Sequence, residues 1–180
     1  MIDPYLFDTP SAWVTRFAPL IPQTGTVLDL ACGAGRHSRL LADLGHQVLA
    51  VDIDVSRLGT IADIPQIEAL QADLESGFWP FVDRQFSAIV VANYLHRPLL
   101  PKLPAALVPG GLLIYETFAI GNERFGKPSN REFLLLPGEL LQVVVGHARV
   151  IAYEDLVVAE PKPAAVQRIC AVRVQPRNDS

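Results

Sequence analysis

Two glycines and an aspartate stand out in the first third of the chain. Gly33 and Gly35 belong to the segment VLDLACGAG, residues 27–35, and glycine lets a backbone turn tightly and approach a ligand closely. The N–H groups that open the following helix point into the same cleft. Asp52 follows Gly33 by 19 residues, near the spacing at which an acid binds ribose hydroxyls in dinucleotide folds. The pattern predicts a nucleoside site.

Two nucleoside cofactors use a glycine turn of this kind, a nicotinamide dinucleotide and S-adenosylmethionine. The dinucleotide pattern GxGxxG requires a third glycine or alanine where this chain has Ser38. Asp29 lies late in the predicted strand before the turn, and its carboxylate would repel a pyrophosphate at short range. S-adenosylmethionine carries a sulfonium and an ammonium group and no phosphate, so the same carboxylate favours it. An NAD-dependent oxidoreductase stays as the weaker alternative.

The segment DLACGAG resembles the first motif of the class I S-adenosylmethionine-dependent methyltransferases, and the resemblance covers nearly the whole chain. It implies that S-adenosylmethionine is the cofactor and S-adenosylhomocysteine the product. The residues that it places at the methionine end of the cofactor are Asp29, Ala31, Gly33, Gly35 and Asn93. Ala31 replaces the commoner first glycine of the motif, and Ser87 stands where many members have an aspartate.

The resemblance also assigns residues to the adenosine end of the cofactor. Asp52 would accept hydrogen bonds from the ribose hydroxyls, with Ile53 against the adenine ring. Asp73 would accept from the adenine amino group, and the Leu74 amide would face adenine N1. The segments NYLHRPLLP and ETFAIGNERFGKPSN are similar to those of small bacterial methyltransferases related to tellurite-resistance and other small-molecule enzymes.

Three residues beyond the fourth and fifth predicted strands are candidates for catalysis. His96 can exchange a proton near neutral pH and is the candidate general base. Arg97 could pair with an anionic acceptor. Glu116 could act as a base or hold Arg97 or Arg124. A base is required for hydroxyl or ammonium nucleophiles but not for thiolates or soft anions.

The elements that must position these residues alternate between strand and helix. We predict an α/β fold, a Rossmann-like, doubly wound, mostly parallel seven-stranded sheet with a C-terminal antiparallel hairpin. The apolar runs interpreted as strands cover residues 26–31, 47–52, 67–72, 86–95, 112–118, 148–159 and 165–174. Residues 73–85 are too few for a full crossover helix with its loops.

We interpret residues 1–180 as a single methyltransferase domain. Residues 1–23 are predicted to form an N-terminal helical extension, capped by Asp8 or Thr9. Residues 119–130 form a polar loop with two glycines, which we interpret as a possible lid over the substrate. No further segment is left for a substrate-recognition domain, so a small-molecule acceptor is favoured.

Composition disfavours several classes of function. The net charge of −4 and pI near 5.5 make nucleic acid an unlikely partner. Cys32 and Cys170 belong to no CxxC or Cys/His metal pattern, so we expect reduced thiols and no metal. No apolar run reaches the ~18 residues of a membrane span, and the N-terminus lacks signal-peptide features, so we expect the cytoplasm. A non-catalytic cofactor-binding module that activates a partner, and an RNA or protein methyltransferase, remain alternatives.

Overall fold

The structure, a computed structural model, describes residues 9–174 and contains one seven-stranded sheet. The strand order is β3-β2-β1-β4-β5-β7-β6. The strands are β1 (Thr26–Leu30), β2 (Gln47–Asp52), β3 (Ile67–Gln71), β4 (Phe86–Ala92), β5 (Leu107–Phe118), β6 (Ala148–Val158) and β7 (Ala164–Arg173). The predicted fold class is confirmed.

The first five strands are parallel, and β7 runs antiparallel to both of its neighbours, β5 and β6. In β1, β2 and β4 nearly every residue is buried, because a parallel sheet is covered on both faces and cannot alternate apolar with polar residues. In β6 most residues are exposed, since this strand lies at the sheet edge. The centre of the sheet therefore supplies the core, and its carboxyl ends present the loops.

The helices are short because glycine and proline interrupt them. They are α1 (Ala12–Phe17), α2 (Arg36–Asp43), α3 (Lys102–Ala105) and α4 (Glu139–Val144), with additional 3₁₀ turns. Residues 55–63 are a 3₁₀ stretch broken at Gly59, where φ is +52°. No helix lies between β3 and β4 in the described residues, as the shortness of this segment predicts.

Two apolar clusters lie on the two faces of the sheet. On one face α1 and α2 pack through Trp13, Phe17 and Leu41. The Trp13 indole also donates a hydrogen bond to the carbonyl of Ile169 at 3.2 Å, which fixes α1 against the sheet. On the other face α3 and α4 pack with the segment between β3 and β4, including Phe81. Both faces of the central strands are thereby covered.

Two details of the predicted elements are wrong. The helix cap at the N-terminus is Ser11, whose hydroxyl accepts from the N–H groups of Trp13 and Val14, and not Thr9. Asp8, the other predicted cap, lies outside the described residues. The fifth strand begins at Leu107, five residues earlier than predicted, because an irregularity between Phe86 and Ala88 lets the pairing continue past Gly110.

Candidate functional site

The carboxyl ends of β1, β2, β4 and β5 meet at one edge of the sheet. The N–H of Cys32, just after β1, donates to the carbonyl of Val51 in β2 at 2.9 Å. The N–H of Asn93, just after β4, donates to the carbonyl of Glu116 in β5 at 2.9 Å. In open parallel sheets a ligand lies at this edge, beside the strand at which the order reverses. Here that strand is β1, with β2 on one side and β4 on the other.

The backbone at this edge adopts conformations that ordinary residues avoid. Ala31 and Asn93 are the two non-glycine residues with positive φ in the described chain, both at +56°. Each residue directly follows a strand, Ala31 after β1 and Asn93 after the adjacent β4. Strained non-glycine residues of this kind cluster at ligand sites, because the surrounding structure must hold them in place.

Gly33 and Gly35 serve different purposes in the turn. Both have positive φ, +57° and +79°. A Cβ on Gly35 would lie 2.5 Å from Leu58 Cδ2, so this glycine permits α2 to pack against the 3₁₀ stretch. A Cβ on Gly33 would have only one atom within reach, Nη2 of Arg57 at 4.0 Å, and would project into open space. Gly33 therefore keeps the surface of the cleft clear.

The Asp52 carboxylate forms the floor of the cleft beside the glycine turn. Its side chain is only 8% exposed, and Oδ2 accepts from the Gly33 N–H at 2.8 Å. Oδ1 accepts from the Asp54 N–H at 3.1 Å. A carboxylate has about four acceptor positions, so both oxygens retain capacity for a ligand hydroxyl. The neighbouring Ile53 is 63% exposed, which leaves an apolar side chain uncovered beside this acid.

Asp29 lies beneath the turn, with an exposed fraction of 1%. Burial raises the pKa of its carboxyl from 3.8 to about 6, against the opposing effect of the hydrogen bond from Ser38. The Ser38 hydroxyl donates to Oδ2 of Asp29 at 2.6 Å. Ser38, which departs from the dinucleotide pattern, is thus the partner of the acid. The sequence places the two residues at the right elements but gives no sign of this contact.

The predicted adenine side of the site is a more open region. Asp73 is exposed, and its Oδ1 accepts from the Glu75 N–H at 2.9 Å, while Leu74 is buried in the core. The Tyr94 hydroxyl donates to Glu75 Oε1 at 3.4 Å, a contact between this loop and the end of β4. Burial, with Glu75 adding to it, raises the pKa of that phenol. Sequence reasoning missed the Glu75–Tyr94 pair.

His96 and Arg97 follow β4, but the structure gives them different surroundings. His96 is half-buried and extended, immediately before a 3₁₀ turn at Arg97–Leu99. Arg97 binds Glu139 through Nε and Nη2, at 2.7 and 3.0 Å. Its Nη1 and Nη2 also donate to the carbonyls of Glu132 and Leu134, at 2.6 and 2.8 Å. Arg97 thereby ties the end of β4 to the start of α4.

Glu116 also has protein partners on both carboxylate oxygens. The Ser11 hydroxyl donates to Oε1 at 2.6 Å, and Arg168 Nη1 donates to Oε2 at 3.1 Å. Arg168 Nη2 binds Glu154 at 2.6 Å, so the three charges form a row across β5, β7 and β6. The suggested pairing of Glu116 with Arg97 or Arg124 is wrong, because the antiparallel register places Arg168 opposite Glu116.

The segment before α1 crosses this edge of the sheet and is held there by α2. The Ser11 N–H donates to Nε2 of His37 at 3.0 Å. Burial lowers the pKa of His37 to about 3, so the ring is neutral and can accept this bond. Arg36 Nη1 donates to the carbonyl of Thr9 at 3.1 Å. None of these contacts has a signal in the sequence, since the partners lie 26 or 27 residues apart.

The loop at residues 119–130 is fixed at its base. Ile120 and Leu135 form backbone bonds that join the two ends of the longer connection, with N–H to O distances of 3.0 and 2.9 Å. Buried Asn122 donates to the Pro128 carbonyl at 3.0 Å and accepts from the Ala165 N–H at 3.2 Å. Residues 123–127 at the tip are exposed. The structure therefore separates a fixed base from an exposed tip.

The residues at this edge fit S-adenosylmethionine. Gly33 leaves space for a ligand against the backbone, and Asp52 offers acceptor capacity next to the exposed apolar side chain of Ile53. A ribose with its hydroxyls and an adenine with its apolar faces require these two kinds of group. Asp29 adds a buried acid beneath the turn, which suits a ligand that carries positive charge.

Comparison with known proteins places this site in a family. A family model described as a methyltransferase domain matches residues 27–111, which contain the glycine turn and Asp52. The trans-aconitate 2-methyltransferase of Azoarcus sp. (strain BH72) is 33% identical over 153 residues, covering 81% of this chain and 54% of that protein. The chain thus spans about half the length of this curated relative.

Solved structures share the fold at low sequence identity. TehB from Haemophilus influenzae superposes with a TM-score of 0.72 at 17% identity, covering 91% of this chain and 61% of that one. The glycopeptide N-methyltransferase MtfA, solved with S-adenosyl-L-homocysteine, gives a TM-score of 0.61 at 20% identity, covering 89% and 88%. The sheet is therefore that of the class I methyltransferase domains.

Together with the family match, these observations identify the chain as a member of the class I S-adenosylmethionine-dependent methyltransferases, of the small bacterial type. Among residues 9–174, no helix has the length and apolar character to cross a membrane. The same residues contain no group of three or more His, Cys, Asp or Glu side chains that could hold a metal ion.

Proposed function

We propose that this protein transfers a methyl group from S-adenosylmethionine to a small-molecule acceptor. The observation that carries the proposal is the convergence of the open Gly33 turn, the Asp52 carboxylate and the two positive-φ residues Ala31 and Asn93 at one edge of the sheet. The matched family and the methyltransferases among the relatives support the activity. The cofactor itself would supply a methyl group already activated by the sulfonium.

We assign the cofactor-binding residues by their position at this edge. Gly33, with Ala31 and Asn93, shapes the wall for the methionine end, and Asp29 supplies negative charge beneath it. Asp52 receives the ribose hydroxyls. Ile53 is the apolar contact for adenine.

Three more positions complete the cofactor assignment. Asp73 and the Leu74 amide lie on the adenine side, at the carboxyl end of β3. Gly35 contributes indirectly, because it lets α2 pack closely beneath the turn. The protein's task is then alignment and exclusion of water, since methyl transfer to a nucleophile held in line needs little else.

His96 is our candidate for the general base. It lies half-buried after β4, and no side-chain hydrogen bond of the described residues engages it. Arg97 and Glu116, the other two candidates, are held by protein partners at short distance. We therefore propose that Arg97 positions the loop beside His96, and that Glu116 holds the segment before α1.

Several observations support a small acceptor. The segment at residues 119–130 is its predicted cover, and the bonds at its base leave only the exposed tip free to close. One relative is named for trans-aconitate, a small carboxylic acid, which makes carboxylates a first group of acceptors to test. The acidic net charge of the chain disfavours RNA. The cytoplasm remains the predicted compartment.

The experiment has two stages. Calorimetry and thermal shift with S-adenosylhomocysteine test the cofactor site, because a ligand that binds only the folded chain raises its melting temperature. A panel of small carboxylic acids, thiols, amines and phenols, read by release of S-adenosylhomocysteine, then tests transfer. Binding without turnover on any acceptor would favour the non-catalytic module instead, and turnover on RNA or protein alone would contradict a small acceptor.

A further inference from the structure

The segment between β3 and β4 exposes large apolar side chains. Val82 and Phe78 are 75% and 69% exposed, the largest fractions among the large apolar side chains of residues 9–174. Turns take the place of a helix in this segment, so its side chains are not buried along a helical face. Exposed apolar surface of this kind, concentrated in one short segment, is a candidate interaction surface.

Aromatic packing anchors this segment to the core. Phe81 is buried, and its ring packs edge-on against Trp79 and Phe86, with centroid distances of 4.9 and 5.4 Å. Aromatic pairs in this geometry are favourable. Val82 directly follows Phe81 and is therefore exposed on an anchored turn. A surface that is already ordered loses little conformational entropy when it binds a partner.

A groove of about 650 Å³ lies between this segment and α3. The residues that line it include Trp79, Val82 and Asp83 on one wall and Pro101, Lys102 and Ala105 on the other. Lys102 Nζ lies 5.8 Å from the centroid of the Trp79 ring, which holds this positive charge beside the groove. Arg84, also on the first wall, pairs with Glu68 at 3.5 Å. The first wall thus presents the negative charge of Asp83, and α3 presents a positive charge.

The groove lies away from the cofactor site. Its two walls shortly precede β4 and β5, which begin at Phe86 and Leu107, so it lies toward the amino ends of these parallel strands. The residues assigned to the cofactor lie at the carboxyl ends. A molecule in the groove would therefore not occupy the cofactor site, and this surface is independent of the proposed function.

The charges beside the groove favour a partner that carries both signs. A partner with charges of one sign only would meet either Asp83 or Lys102 as a like charge, and such contacts disfavour association. A second copy of this chain presents apolar surface together with one charge of each sign. It therefore matches the groove in both respects.

The C-terminus of the same chain is a poorer match for the groove. Arg173, near the end of the described residues, donates to the Ala105 carbonyl at 2.9 Å, so the chain passes close to α3. Residues 175–180, QPRNDS, contain no large apolar side chain that could fill an apolar groove.

We infer that this groove is the interface of a homodimer. A two-fold axis parallel to the groove places the segment 79–83 of each copy opposite α3 of the other copy. Asp83 then faces Lys102 of the second copy, and Val82 meets the apolar surface of Ala105. Such an interface is isologous, because the same patch is used by both copies. Each ion pair and each apolar contact is therefore formed twice.

The oligomeric state of the full chain tests this interface. Sedimentation equilibrium should give a mass twice the 19.7 kDa of one chain. Val82→Asp should raise the dissociation constant at least about 100-fold, because it places an unpaired charge in an apolar interface. Val145→Asp is the matched control, since this valine follows α4, is 65% exposed and lies outside the groove. The control should remain a dimer.

Charge reversal tests how the two copies are arranged. Asp83→Lys should raise the dissociation constant by about tenfold or more, because the new ammonium group faces that of Lys102. Asp83→Lys combined with Lys102→Glu restores opposite charges and should return the dissociation constant to within about threefold of the wild type. Asp83 is exposed, so its substitution should preserve the fold and decides the outcome if Val82→Asp does not fold.

Several results would overturn the homodimer. One is a wild type that stays monomeric at about 100 μM, whether or not another protein binds the groove. Another is a dimer that persists in both Val82→Asp and Asp83→Lys, or that Val145→Asp disrupts equally. Calorimetry with S-adenosylhomocysteine should give the same affinity for Val82→Asp as for the wild type. A lack of cofactor binding in both proteins would contradict the proposed function and leave the test of the dimer unaffected.

Discussion

The two halves of the carboxyl edge use their polar groups in different ways. Around β1 and β2, Asp52 retains acceptor capacity, Ile53 is uncovered and Gly33 faces open space. Around β5 and β7, Glu116 and Arg168 are bound by other side chains of the protein. We propose that the first half binds the cofactor, whereas the charged side chains of the second half link strands and segments of the protein to one another. Charged residues at a sheet edge are therefore not equivalent, even a few strands apart.

This difference bears on the predicted catalytic residues Glu116 and Arg97. Glu116 lies near the carboxyl end of β5, where an acceptor is expected, but its two oxygens have partners at 2.6 and 3.1 Å. Arg97 binds one carboxylate and two carbonyls. Both side chains are thus engaged in ion pairs within the protein, whereas the partners of the Asp52 carboxylate are backbone N–H groups. The following predictions test whether the two halves differ as described.

The largest effect on stability should come from Gly35, which packs against Leu58, and not from Gly33, which faces open space. Gly35→Ala should lower the free energy of unfolding by about 2–5 kcal/mol, from positive φ and from overlap with Leu58. Gly33→Ala should cost only about 1–2 kcal/mol, since its methyl group meets open space. Urea denaturation of both variants measures the difference, and equal losses would contradict the distinct roles.

The next effect concerns the buried acid beneath the turn. The pKa of Asp29, raised to about 6 mainly by burial, means that the folded chain binds this proton more tightly than the unfolded chain. Its contribution to stability is full below about pH 4 and is lost as the pH rises through about 6. Asparagine does not titrate, so Asp29→Asn does not lose stability in this way. Its free energy of unfolding relative to that of the wild type should rise by about 2–3 kcal/mol between about pH 4 and about pH 7.

Urea denaturation of Asp29→Asn and the wild type over this pH range measures that difference. The comparison cancels the other titrating groups, which both proteins share. A difference in the free energy of unfolding that is constant or falls with pH would show that burial does not raise the pKa of Asp29 in the folded chain.

A smaller effect is expected at the floor of the cleft. Asp52→Asn removes a charged acceptor and should weaken S-adenosylhomocysteine binding by about 10- to 100-fold, the range for hydrogen bonds to a charged group. Asp54→Asn is the control, because Asp54 is exposed and its side chain contacts only Ser56. Calorimetry compares the two variants. An equal effect at both positions would mean that general charge, and not the Asp52 contact, governs affinity.

The smallest effect should come from the other half of the edge. Ser11→Ala removes the cap of α1 and the hydroxyl that binds Glu116, and should lower the free energy of unfolding by about 1–2 kcal/mol. It should leave the affinity for S-adenosylhomocysteine within about twofold of the wild type, since Glu116 has no ligand-binding role in this account. Thr15→Ala, which removes one exposed bond to the Ser11 carbonyl, is the control. A loss of about tenfold in the affinity of Ser11→Ala for S-adenosylhomocysteine would contradict the proposed difference between the two halves of the sheet edge.

The cofactor half could be predicted from the sequence because its signals are local. Asp29 lies near the end of β1, Gly33 and Gly35 follow in the next turn, and Asp52 ends the next apolar run. Each residue could thus be assigned to the end of a strand without knowledge of distant contacts. The fold class followed from the same alternation of apolar runs and glycine stops, and its antiparallel end from the last two runs.

The other half could not be predicted because its partners are far apart in the sequence. Ser11 and Glu116 are 105 residues apart, and Arg97 and Glu139 are 42 apart. Only the pairing of β5 with β7 brings Arg168 opposite Glu116. Local patterns identify a charged side chain but not its partner, and whether that side chain is free for chemistry depends on the partner.

The most direct test of the account is a calorimetric titration of S-adenosylhomocysteine into the wild type and Gly33→Ala. The wild type should bind one molecule of S-adenosylhomocysteine per chain, with saturation. Gly33→Ala should fold but lose this binding, because the added methyl group occupies the surface of the cleft. No heat of binding in the wild type, or unchanged affinity in a folded Gly33→Ala, would contradict the account.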